Sequence, residues 1–136
     1  MAKRLSRRQQ VIQRAGYRCE YCGYPQEASP IPLEMDHIIP QTKGGRTTLT
    51  NLALACRHCN QHKGTKTTGI DPETQQAVRL FNPRTDQWAE HCQFLQRSGE
   101  MIGLSPIGRA TVHELRLNDR RSVRLRWLLT RAGLMS

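Results

Sequence analysis

Two C-x-x-C pairs, Cys19-Glu-Tyr-Cys22 and Cys56-Arg-His-Cys59, stand 33 residues apart in a chain of 136. A C-x-x-C knuckle lets two thiolates reach one ion without strain, and four thiolates at ~2.3 Å complete the tetrahedron that zinc favours. One pair alone is weak. Two pairs in a chain that is 37% hydrophobic and 5% aromatic point to a domain that supplements a limited core with a metal cross-link. Four protein ligands close the coordination sphere, so this zinc is expected to be structural. Two disulfides or redox-active dithiols are the alternatives. They are disfavoured because MAKRLSRRQQ lacks the apolar run of a secretory signal and no segment approaches the ~20 apolar residues that span a bilayer. The expected setting is intracellular, in the nucleoid-bearing cytoplasm, where thiols stay reduced and serve metals. Cys92, far from both pairs among apolar neighbours, reads as a packed free thiol.

The interval between the knuckles is longer than a simple zinc ribbon needs, which implies an inserted function. PIPLEMDHII alternates and ends at Pro40, reading as a strand that delivers Asp36 and His37 at its end. QTKGGRTTLT is a polar loop with a Gly-Gly break, NLALAC a second short strand, and RHCNQHKG a helix start with Asn60 and Lys63 on one side. Before the first knuckle, Ser6 caps a short basic helix with Val11, Ile12 and Ala15 at helical spacing and Gly16 as its stop. After the second, TKTTGIDPETQQ reads as a linker and VRLFNP as extended. WAEHCQFLQ reads as strand in preference to helical turn, and EMIGLS as extended. PIGRATVHELRLN and DRRSVRLRWLLTRAG read as two helices, the last basic, amphipathic and capped by Asp119. The fold class is α+β. Residues 1–68 are expected to form the core with its basic helix, and 69–136 an extension packed on that core or contacting the domain's binding partner.

Phosphodiester hydrolysis needs a base for water and a Lewis acid for the leaving oxygen, and one histidine with one oxygen-ligated hard ion supplies both. Asp36, His37, Asn51 and Asn60 offer those groups: carboxylate on the ion, imidazole on the water, and an amide anchored by the zinc knuckle.

The charge is +10 and uneven. Residues 1–18 carry Lys3, Arg4, Arg7, Arg8, Arg14 and Arg18 with no acid, and from Arg109 onward seven arginines face Glu114 and Asp119. Clustered cations bind polyanions by releasing condensed counterions, so nucleic acid is the expected partner. Arg7, Arg8, Lys43, Arg46 and Lys63 are the candidate phosphate contacts. Trp88 and Trp127 read as packing residues.

Taken jointly, C-E-Y-C at 19–22, D-H-I-I-P at 36–40, G-G at 44–45, N-L at 51–52 and C-R-H-C-N-Q-H-K-G at 56–64 resemble the HNH endonuclease motif. The resemblance is to its four-cysteine zinc variant. It implies a small ββα-metal core and hydrolysis of DNA to 5′-phosphate and 3′-hydroxyl ends. His37 then corresponds to the general base, Asp36 to a ligand of a divalent ion (magnesium or manganese), and Asn51 to the residue that orients loop and base. The last motif position falls on Asn60, where this sequence has Asn instead of His. His62 lies only two residues on, but side chains two apart on a helix diverge by about 200°. An amide oxygen also suits magnesium better than imidazole does, which favours Asn60 over His62. Residues from about 71 on resemble the tail of small stand-alone bacterial HNH proteins. The rival reading is a zinc-knuckle nucleic-acid-binding module whose HNH residues do no chemistry. A zinc-stabilised protein-interaction domain leaves the charge unexplained.

Overall fold

The computed structural model describes residues 4–136, so Lys3 of the basic N-terminal run lies outside the described residues. Helix α1 spans Arg7–Arg14; Ser6 accepts from the Gln9 amide while the Gln9 side chain accepts from the Ser6 amide. Two orphan donors of the first turn are thereby satisfied reciprocally. The strands of the inserted segment are β1 (Glu34–His37) and β2 (Leu52–Ala55), antiparallel, with Asp36 opposite Ala53 and His37 opposite Leu52. β1 is shorter than the alternation suggests, starting two residues after Pro32. All four residues of β2 are buried, so this strand is the centre of the core. Helix α2 (Arg57–Lys63) starts at Cys56, packs on both strands and completes a ββα unit.

The remainder is two small hairpins and three helices. β3 (Thr68–Ile70) pairs with β4 (Ala77–Arg79), and β5 (Cys92–Phe94) pairs with β6 (Met101–Gly103). α3 (Trp88–His91) leads directly into β5, and α4 (Pro106–Glu114) and α5 (Arg120–Arg131) close the chain. The stretch expected as a linker therefore contains β3. The fully buried Asp71 carboxylate after it takes a two-pronged hydrogen bond from Arg109, 2.9 Å on each oxygen. That partner is 38 residues away, so local composition gave no sign of it. WAEHCQFLQ, expected as strand, is a helical turn followed by a strand. Gly108 of α4 presses on the turn's last carbonyl, since a Cβ there would lie 1.7 Å from His91 O. Asp119 occupies the cap position of α5, but its side chain makes no capping bond.

One contiguous apolar cluster runs from Val11 through β2 to Leu80, Phe81, Met101, Leu115, Leu117 and Leu129. The hairpin β3–β4 straddles the expected boundary at 68/69, and both sides contribute to this core. Among the described residues no helix is long and apolar enough to cross a membrane.

Candidate active site and metal centre

Cys19, Cys22, Cys56 and Cys59 are buried, and their four sulfurs lie within 4.8 Å of one another. Cys22 and Cys56 Sγ are 3.7 Å apart, close to the edge of about 3.8 Å that a tetrahedron with ~2.3 Å zinc–sulfur bonds requires. None is in a disulfide. Four buried sulfurs this close cannot all ionise without a cation between them, so the donor set fits zinc. Cys92 is buried elsewhere, its thiol pushed up to about 11 by burial.

Each knuckle is also tied to the neighbouring strands. Glu20 N donates to Leu54 O at 2.8 Å, and Leu54 N donates back to Glu20 Oε2 at 2.8 Å. Between the first two cysteines, Tyr21 is 1% exposed, and its hydroxyl donates to Asp36 Oδ2 at 2.6 Å. Burial above all, then the Asp36 charge, pushes the phenol well above its usual range, so it remains a donor. From the second knuckle, Cys56 caps α2 and accepts from Cys59 N. The helix then carries Arg57, Asn60 and Lys63, three apart, towards β1. Arg57 Nε meets Glu34 Oε2 at 3.2 Å and Asn60 Nδ2 donates to Glu34 Oε1 at 2.8 Å. Lys63 Nζ lies 3.2 Å from Asp36 Oδ1 and 3.1 Å from Oδ2.

Lys63 was expected at a phosphate. Its side chain is instead 2% exposed, and its three protons are taken by Asp36 and by the carbonyls of His37 and Ile38. Alternation along a polar helix cannot reveal an ammonium that satisfies itself internally. Burial pushes the Asp36 carboxyl above its usual range, with Lys63 and then Tyr21 pulling it back.

Asp36, His37 and Asn60 border one cleft of about 290 Å³. His37 Nε2 is 2.9 Å from Thr47 Oγ1, which also accepts from Gln41 Nε2 at 3.3 Å. Asn51 does not enter the cleft. Its amide grips the loop before β2, accepting from Ile39 N at 2.9 Å and donating to Ile39 O at 3.0 Å and Arg46 O at 2.9 Å. Gly45 permits that grip, because a Cβ there would lie 1.7 Å from Ile39 O and 2.9 Å from Asn51 Nδ2. His62 turns along its own helix, Nδ1 2.8 Å from His58 O. His58, expected at the surface, is half-buried, with Nε2 3.0 Å from the carbonyls of Leu115 and Arg116 just beyond α4. Of the basic candidates, Arg7, Lys43 and Arg46 are exposed, while Arg8 donates to Leu33 O at 2.7 Å.

Residues 19–66 match the HNH endonuclease family. They form an HNH domain. Over 58 residues, 42% of its length, the chain is 47% identical to the CRISPR-associated endonuclease Cas9 of Corynebacterium diphtheriae. The chain spans 5% of that protein's length. No solved structure matches the chain. The HNH domain accounts for both knuckles, β1, β2 and α2. Four residues that line the cleft or hold its side chains were given no role by the motif: Gln41, which borders it, and Tyr21, Glu34 and Thr47, which bond to Asp36, Asn60 and His37. Glu34 and Asp36 at alternate strand positions facing a stripe three apart on α2 is the pattern that could have found Glu34.

Proposed function

We propose that this protein is a metal-dependent endonuclease that hydrolyses phosphodiester bonds of double-stranded DNA. The observation that carries the reading is the convergence of Asp36, His37 and Asn60 on one cleft, beside a four-cysteine zinc site that fixes the helix bearing Asn60. His37, held through Nε2 at Thr47, takes the proton of an attacking water on its other ring nitrogen. Asp36 and Asn60 are the residues that hold a divalent ion, magnesium or manganese. The carboxylate has up to four acceptor sites, not all used by Tyr21 and Lys63. No donor among the described residues reaches Asn60 Oδ1. When bound, the ion supplies Lewis-acid stabilisation to the phosphate and its leaving oxygen. Attack on the phosphorus with departure of O3′ leaves 5′-phosphate and 3′-hydroxyl ends. Exposed Arg7, Lys43 and Arg46, with Arg8 and the exposed arginines of α5 (Arg120, Arg121, Arg124 and Arg131), hold the backbone by counterion release. Asn51 acts from behind by fixing the loop.

A second reading has one observation in its favour. Lys63 already neutralises Asp36, so the cleft can persist without an ion, as a binding module's would. Purified protein incubated with supercoiled plasmid in Mg²⁺, Mn²⁺ or EDTA separates the two. The nuclease nicks or linearises plasmid with metal and not in EDTA. His37→Ala lowers the rate by about 10²–10⁴-fold, the usual worth of a general base, with zinc content and fold unchanged. Salt-sensitive binding without cleavage in any metal establishes the binding module instead. Equal loss of fold and activity in His37→Ala makes that histidine structural.

A further inference from the structure

Glu34 stands two residues before Asp36 on β1, and its carboxylate is divided between two residues of α2. Oε1 takes the Asn60 amide nitrogen at 2.8 Å and Oε2 takes Arg57 Nε at 3.2 Å. A carboxylate without its proton can only accept. The amide of Asn60 must therefore turn its NH₂ to Glu34, which leaves its oxygen free on a side chain that borders the cleft with Asp36. An asparagine without such a partner has two nearly isosteric orientations, and one of them points two N–H donors where a cation belongs. Arg57 is 61% exposed, so its ion pair with Glu34 adds little stability. Its effect is to occupy the second oxygen and hold the carboxylate over the helix.

We propose that Glu34 is a positioning residue that selects the Asn60 amide orientation presenting Oδ1 to a divalent cation in the cleft. The proposal rests on the nuclease reading only in taking the cleft to bind such an ion. It also supplies a physical reason for asparagine at this motif position: a primary amide offers the carboxylate a donor and the cation an acceptor at once. A different role, Glu34 as a ligand in its own right, makes the opposite prediction in one double variant.

The test uses the full chain with its zinc in place and Mn²⁺ as the probe, followed by calorimetry and by the electron paramagnetic resonance of the free ion. Wild type binds Mn²⁺ and Asn60→Ala does not, which locates the site. Glu34→Gln keeps the shape but can donate as well as accept, so it no longer dictates the amide. Its Mn²⁺ affinity falls by about 10–100-fold, the usual cost of losing an outer-shell partner, with zinc content unchanged. Asn60→Asp has two equivalent oxygens and no wrong orientation, so adding Glu34→Gln to it costs nothing further. Three results overturn the proposal alone: Glu34→Gln binding like wild type, a loss that persists in the double variant, or loss of zinc from Glu34→Gln. Wild type taking no Mn²⁺, or taking it equally in Asn60→Ala, overturns the nuclease reading of the cleft and the proposal with it.

Discussion

The four-cysteine staple and the cleft lie side by side in the HNH domain, yet they are built in opposite ways. The staple uses four identical ligands, all buried, each needing only to arrive. The cleft uses a carboxylate, an imidazole and an amide from two segments, and each is held by a further side chain: Tyr21 and Lys63 on Asp36, Thr47 on His37, Glu34 on Asn60. A closed metal site is specified by spacing. A site meant for chemistry must also fix tautomers, amide orientations and charge, which takes partners. The two are nonetheless connected, because Tyr21 reaches Asp36 from inside the first knuckle and α2 starts at a ligand of the second.

The sharpest way to break the contrast is to remove one member of each site. Cys56→Ala takes a ligand from the staple and the cap from α2. Structural zinc ligation carries apparent free energies of about 10–16 kcal/mol, so the expected outcome is loss of bound zinc together with helical circular dichroism and cleavage. A folded, zinc-free variant contradicts the structural assignment. Lys63→Met strikes the cleft's own support. Removing one partner of a buried ion pair costs about 3–5 kcal/mol, read as a fall in the denaturation midpoint. The loss is expected at unchanged zinc stoichiometry, and a midpoint equal to wild type puts the Lys63 ammonium outside.

The sequence carried the staple and the letters of the motif because both are local: cysteine spacing, a strand ending in Asp36-His37, an asparagine beside a cysteine. The ββα unit and α1, with its Ser6 cap, were legible for the same reason. What stayed hidden depends on distance in sequence. Lys63 meets Asp36 across 27 residues and Asp71 meets Arg109 across 38. In both cases a charged side chain that looked solvated is internal, paired by tertiary structure. Arg126 is the same lesson in α5: on a helix read as a basic surface it is buried, donating to Gly99 O at 2.8 Å and to Leu117 O. Trp88, an expected packing residue, also donates to Tyr21 O at 3.0 Å, a bond no periodicity encodes.

If the staple does more than hold the fold together, it acts through the Tyr21 hydroxyl, 2.6 Å from Asp36. Tyr21→Phe deletes that one atom and leaves the cysteines and the aromatic packing against Phe81 in place. Hydrogen bonds to charged groups are worth about 1.5–3 kcal/mol, so Mn²⁺-dependent nicking of supercoiled plasmid should slow by roughly 10–100-fold, with one zinc still bound per chain. A nicking rate equal to wild type at full zinc occupancy would contradict the link between staple and cleft.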